Sequence, residues 1–209
     1  MPHHIDHDLA LLTGLWESWA ERGAALDPQG WGRPTRLPGW SVQDLYAHVA
    51  PDPAQFAQLR GAVVDAPAAV DSGAGILRAY NRPGGLAHTA AERIAESARQ
   101  TAGATEPAAL VARFATEGPA ALAAIADLPP ATVIAHPMLG AVTIGALREV
   151  AVMEATVHLL DLIAAIGGPP PATAALHATR TLLAEVADPV AFIEAATGRT
   201  DTPVLPVVR

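Results

Sequence analysis

The sequence predicts an all-α protein, an up-and-down four-helix bundle with a short C-terminal helical extension. Three observations carry this expectation. Of the 209 residues 51% are hydrophobic, yet only 2 are Tyr and 3 are Phe, and alanine, the best helix former, fills much of the remainder. Apolar residues recur at three- and four-residue spacing. Ser, Thr or Asp stands before the apolar runs and Gly or Pro after them, which is the chemistry of helix starts and stops. So much alanine also predicts a core of helix packed closely on helix, without bulky aromatics.

The first helix is expected from about Asp6 to Ala24, with Leu9, Leu12, Leu15 or Trp16, and Trp19 on one buried face. His3, His4 and His7 precede or open it; His3 and His7 could clamp a metal one turn apart, but clustered N-terminal histidines are usually solvated. Residues 27–40 are rich in Pro and Gly and form a loop, and Trp19, Trp31 and Trp40 are expected to tack it onto the bundle. Ser41 caps the second helix, with Asp44 completing a capping-box-like pair and Trp40 and Leu45 placed for a hydrophobic staple. His48 lies one turn beyond Asp44 on the inward side. Pro51-Asp52-Pro53 breaks this helix, and Asp52 caps a segment from Pro53 to Val64.

Residues 65–75 are expected to be loop, and Asn81-Arg82-Pro83-Gly84-Gly85 a turn that opens a helix to about Thr101. Arg82 is a candidate substrate-binding residue, because a loop Arg near a bundle mouth could hold a carboxylate; the alternative is a solvated side chain. Another helix runs from Thr105-Glu106-Pro107 to about Asp127, kinked or interrupted at Gly118-Pro119. Residues 128–140 form a loop in which His136, before Pro137, is structural or reaches the mouth of a pocket. The longest helix spans about Thr143 to Ile166 and stops at Gly167. Helices at about 172–187 and after Asp188-Pro189 complete the chain, with an extended tail from Thr200. Residues 1–168 are expected to be the bundle, and 169–209 an extension and tail that do not form an independent domain.

Several chemistries are excluded by composition. Without cysteine there are no disulfides, thiolate zinc sites or cysteine nucleophiles, and a metal must be held by His, Asp or Glu. All 13 basic residues are Arg, so there is no lysine for a Schiff base or a P-loop. A net charge of −8 with no basic cluster argues against a nucleic-acid partner. No signal-peptide pattern and no apolar run of spanning length is present, so the expectation is a cytoplasmic protein with no membrane partner.

One stretch of the longest helix stands out. Glu154, His158 and Asp161, at i, i+4 and i+7, share a face within the apolar run from Val150 to Ile163. Two ligands one turn apart make half of a metal site, and the inward His48 is the candidate third. A cation held by His48, Glu154 and His158 would also resolve the cost of burying carboxylates among apolar neighbours. Arg148 is a competing partner but is poorly spaced for Glu154. Without a metal, the same residues could form a hydrogen-bonded polar cluster.

Leu37-Pro38-Gly39-Trp40-Ser41, with His48 seven residues on, followed about a hundred residues later by Glu154-x-x-x-His158-x-x-Asp161, resembles the DinB-like metal-binding bundle superfamily. Within it the pattern is most similar to the N-terminal domain of mycothiol-dependent maleylpyruvate isomerase, over about residues 6–168. The resemblance implies zinc held by His48, Glu154 and His158 with Asp161 as a supporting group, mycothiol as a thiol cosubstrate, and a homodimer. Three such ligands leave a position open for a water or a thiol, and Ni, Fe or Co would also suit the donors. The implied activity is isomerase or S-transferase on a small electrophile; the alternatives are a metal-dependent hydrolase of the same fold or a non-catalytic metal-binding bundle. The resembled isomerase draws an Arg from a C-terminal domain, and no motif transfers that role to Arg199.

Overall fold

A computed structural model describes residues 7–208; His3 and His4 lie outside them. The chain is mostly helical, with one small sheet. Its elements are α1 (His7–Ala24), α2 (Pro28–Trp31), α3 (Val42–Val49), α4 (Pro53–Gly61), α5 (Gly73–Asn81), α6 (Leu86–Thr89) and α7 (Ala91–Ala104). After these come α8 (Pro107–Ala112), a π-helical turn (Arg113–Glu117), α9 (Gly118–Ala123), β1 (Val133–His136), β2 (Gly140–Thr143), α10 (Ile144–Ile166), α11 (Thr173–Val186) and α12 (Pro189–Ala196).

The longest helix, α10, is the centre of the packing, with α1, α3, α5 and α11 against it. Its start and stop are those expected: Thr143 Oγ1 accepts from Ala146 N, and Gly167 ends it. The capping box of α3 also forms. Ser41 N donates to Asp44 Oδ2 at 2.8 Å, and Asp44 N to Ser41 Oγ at 3.2 Å. Asp52 and Asp188 cap α4 and α12, each followed by Pro in the first turn.

The core differs from expectation. Leu9, Leu12, Leu15, Trp16 and Trp19 are buried as predicted, but the centre is aromatic rather than alanine on alanine. Trp19 stacks on Phe114 at 5.2 Å and 7°, and Tyr46 packs edge-on against both. Trp19, Trp31, Tyr46 and Phe114 gather at one place, where helical segments meet and small side chains would leave a void. Tyr46 Oη donates to the Trp19 carbonyl at 2.9 Å, and Trp19 Nε1 to the Ala155 carbonyl at 3.1 Å. These two bonds fix α3 and α10 to each other through α1.

Four stretches expected as loop or interrupted helix carry structure, the first being α2, capped by Asp27 within the expected loop at 27–40. Residues 133–143 form an antiparallel hairpin in which Val133 faces Thr143 and His136 faces Gly140, where a loop to Gly140 was expected. Within the expected loop at 65–75, Ser72 caps a helix, α5, by accepting from Gly75 N. Gly73 lets α5 sit close on α10, since a Cβ there would lie 2.8 Å from Glu149 Oε2 and 3.1 Å from Leu182 Cδ1. Its N–H donates to that same Glu149 oxygen at 2.6 Å. The helix at Gly118-Pro119 is not broken; the π turn widens it just before Pro119, whose missing N–H removes one helical bond. The helix after Gly85 is instead divided at Ala90.

Residues beyond the longest helix share its core. Ala175 of α11 joins the main cluster, and Leu182 packs with Ala74, Leu77 and Met153. No helix among the described residues is long and apolar enough to cross a membrane.

Candidate metal centre

His48 stands on the last turn of α3, and Glu154 and His158 one turn apart on α10. One donor atom from each lies within 4.8 Å of the other two. His158 Nε2 and Glu154 Oε2 are 3.3 Å apart, which is the edge of a tetrahedron whose metal–ligand bonds are about 2.0 Å. The His48 and His158 rings meet edge-on at 5.1 Å. A divalent cation therefore fits the donors by type and by spacing. The Glu154 side chain is 47% exposed and that of His158 15%, so the group opens on one side.

Asp161 faces away from that opening. Its Oδ2 lies 2.8 Å from His158 Nδ1, and its Oδ1 accepts from Arg36 Nε. This carboxylate is buried at 3% exposure, so its charge is compensated from both sides. Nδ1 held on Asp161 leaves Nε2 as the free donor of His158, the arrangement in which a carboxylate orients a ligating imidazole.

Arg36 was not singled out from sequence. It reaches Asp161 because the loop before α3 folds back on itself. Leu37-Pro38-Gly39-Trp40 is a turn closed by Trp40 N to the Leu37 carbonyl at 3.1 Å, with Gly39 at φ +78°, where only glycine is at ease. The Pro-Gly pair marks the turn; no spacing in the sequence announces the pairing across to α10. Arg148 does not compete for Glu154, since its guanidinium donates to the Ile125 and Leu128 carbonyls.

The electrostatics set the protonation of the metal-free trio. Burial lowers the His48 pKa and the neighbouring His158 lowers it further, against an upward pull from Glu154, so His48 is neutral. Burial also works to lower the His158 pKa, but bonds to Asp161 and Glu154 outweigh it and raise the value to about 9. Desolvation raises the Glu154 carboxyl, yet its bond to His158 and the charge of that imidazole bring it below the usual range. Desolvation likewise works against ionised Asp161, and His158 and Arg36 overcome it.

Other expected residues stand elsewhere. The three tryptophans are not equivalent: Trp19 and Trp31 belong to the core, whereas Trp40 packs edge-on against His48 at 5.2 Å. Arg82 is exposed beyond α5, and no ion pair or hydrogen bond among the described residues joins its side chain to the trio. Arg199 donates to the Thr197 carbonyl on the exposed C-terminal side. His7 lines a cleft with Glu149 and His177, apart from the trio.

A mostly helical protein in which His, Glu and His converge from two helices, with a carboxylate behind the second His, has the donor set of a metal-binding helical protein. The sequence matches the model of the mycothiol maleylpyruvate isomerase N-terminal domain over residues 12–163, and the chain belongs to that family. All three members of the trio, and Asp161, lie within the match, and α11 and α12 lie outside it. Comparison with curated proteins and with solved structures finds no match.

Proposed function

We propose that this protein is a divalent-metal-dependent enzyme that uses a low-molecular-weight thiol such as mycothiol to act on a small electrophile, as an isomerase or S-transferase. In this reading His48, Glu154 and His158 hold the metal, zinc by preference, and Asp161 orients His158. The helices α1, α3, α7–α9 and α10 are the four-helix bundle of the family, residues 1–168 are the functional unit, and 169–209 are its extension.

The observation that carries the proposal is the convergence of the three donor atoms within 4.8 Å at the open side of α10, in a chain of the mycothiol isomerase family. When bound, a divalent cation supplies Lewis acidity that brings a thiol's pKa toward neutrality. The chain's own residues do the rest: Asp161 and Arg36 fix the His158 ring, Trp40 backs His48, and the Tyr46–Trp19–Ala155 bonds hold α3 in register with α10. With no cysteine in the protein, a reacting thiol must come from a cosubstrate. Arg82 is the candidate for a carboxylate-binding cation.

The test is turnover of an activated alkene or similar electrophile by metal-loaded protein, with and without added thiol. The proposal expects turnover only with both metal and thiol present. Thiol-independent cleavage of an ester or amide by the metal-loaded protein would assign a hydrolase instead, and a metal-free protein that is fully folded and takes up no cation would leave a polar cluster without catalytic function.

A further inference from the structure

Beside the trio stands a pair of residues that the proposed function does not use. Tyr80, on the last turn of α5, lies with its hydroxyl 3.3 Å from His136 Nε2 at the end of β1. The other ring nitrogen of His136 accepts two backbone N–H groups, from Met138 and Leu139, each at 3.2 Å. A nitrogen accepting from two donors has no room for a proton of its own. Neutral His136 therefore carries its hydrogen on Nε2 and donates it to the Tyr80 oxygen. The phenolic hydrogen of Tyr80 is then left to point elsewhere, and the described residues offer it no other partner.

The direction follows from how α5 lies on α10. Gly73 bonds to Glu149, and Leu77, one turn on, packs in one cluster with Met153. The two helices advance together, so the next turn of α5 brings Tyr80 beside the turn of α10 that bears Glu154. The Glu154 carboxylate is close enough to raise the Tyr80 pKa, in addition to the larger effect of burial. On its other side His136 lines a cavity of about 370 Å³ between α4, β1 and α10. Leu147 and Ala151 are in its wall, and they precede Glu154 and His158 along the same face of α10. The cavity wall at Leu147 and Ala151 and the trio's Glu154 and His158 thus lie along one face of α10, with Tyr80 on the neighbouring turn of α5.

We propose that Tyr80, oriented by His136, donates its phenolic O–H to an oxygen acceptor on the small molecule bound against the trio, whose apolar part occupies the cavity between α4, β1 and α10. This rests on the trio holding a metal. Tyr80 is the group that touches the ligand, and His136 is a positioning residue acting through it. The ligand class is a small molecule with an apolar body and a carbonyl or carboxylate oxygen within reach of both metal and phenol.

The experiment uses cobalt(II)-loaded full chain titrated with benzohydroxamate, which has metal-seeking oxygens and one apolar ring; the cobalt visible spectrum reports Kd. Tyr80→Phe removes only the hydroxyl. His136→Asn keeps an acceptor for the Met138 and Leu139 amides while removing Nε2, and it serves as the second variant where Tyr80→Phe fails to fold. Each change is expected to weaken benzohydroxamate about tenfold, the effect of losing one hydrogen bond to an oriented donor. The double variant should lose no more than either single one, because the two act as a unit, and cobalt stoichiometry should be unchanged throughout. In metal-free protein, nitrogen-15 NMR of His136 should show the proton on Nε2.

A wild-type Kd in Tyr80→Phe, additive losses, a proton on Nδ1, or cobalt-loaded wild type that binds no benzohydroxamate would each overturn the proposal while leaving the metal reading intact. Wild type that takes up no cobalt would overturn the metal reading and this one with it.

Discussion

His158 sits between Glu154 and Asp161, and its fate on metal binding is to exchange a proton for a cation. Held at about 9 by its two carboxylates, it keeps its proton at neutral pH in the metal-free protein, and a metal must displace it. Apparent metal affinity should therefore rise about tenfold per pH unit from 7 and level off near 9, as measured by competition with a chelator. The stability of metal-free protein should run the other way. A folded-state pKa raised above the ordinary 6.5 gives a contribution fully present below 6.5 and lost as pH rises through about 9, so thermal melts should shift downward across that window. Asp161→Asn should flatten both trends and weaken metal binding about 10- to 100-fold, the range for losing a carboxylate behind a ligating His. At this scale the shared face of Glu154, His158 and Asp161 was legible from their i, i+4, i+7 spacing, and the inward side of His48 from the capped helix before it. Arg36 was not, because a loop residue meeting a helix 125 positions away leaves no periodic trace. The expectation that Glu154 is buried also misses the side chain's exposure at the mouth, since helical spacing gives a face but not how deep that face lies.

The elements show the same division. Local chemistry made the caps readable, and Ser41→Ala should cost about 1 kcal/mol in urea unfolding, as loss of an N-cap usually does. Strand β1 was hidden because it holds only four residues, Val133–His136, too few for an alternating pattern to emerge beside Pro129, Pro130 and Pro137. Helix α5 was hidden because glycines at 73 and 75 read as loop, whereas Gly73 is needed for close approach to Glu149. Gly73→Ala should destabilise the protein by about 1–3 kcal/mol, the cost of overpacking at a tight contact, with the unfolding midpoint as the readout. It should also weaken benzohydroxamate binding if α5 carries Tyr80 to the site, while leaving cobalt stoichiometry unchanged.

At the scale of the whole molecule, the ligand-bearing helices are held by an aromatic centre that composition did not foretell. A low aromatic content says how many rings there are, not that they gather where α1, α3, α10 and the π turn meet. Tyr46→Phe keeps the ring but removes the bond to the Trp19 carbonyl, and should cost about 1 kcal/mol of stability. The helical class and the long α10 were legible because summed propensity and periodicity act over many residues. The joining of α11 to the core was not, because it depends on which faces meet after the chain turns back at Gly167.

The central claim is that His48, Glu154 and His158 share one divalent metal. Its most direct test is elemental analysis of protein stripped by chelator and then dialysed against limiting zinc, for wild type and for His48→Ala and His158→Ala variants whose folding circular dichroism verifies. One zinc per wild-type chain, and none retained by either folded variant, is the predicted result. Folded wild type without stoichiometric metal, or both folded variants still holding one zinc per chain, would contradict it.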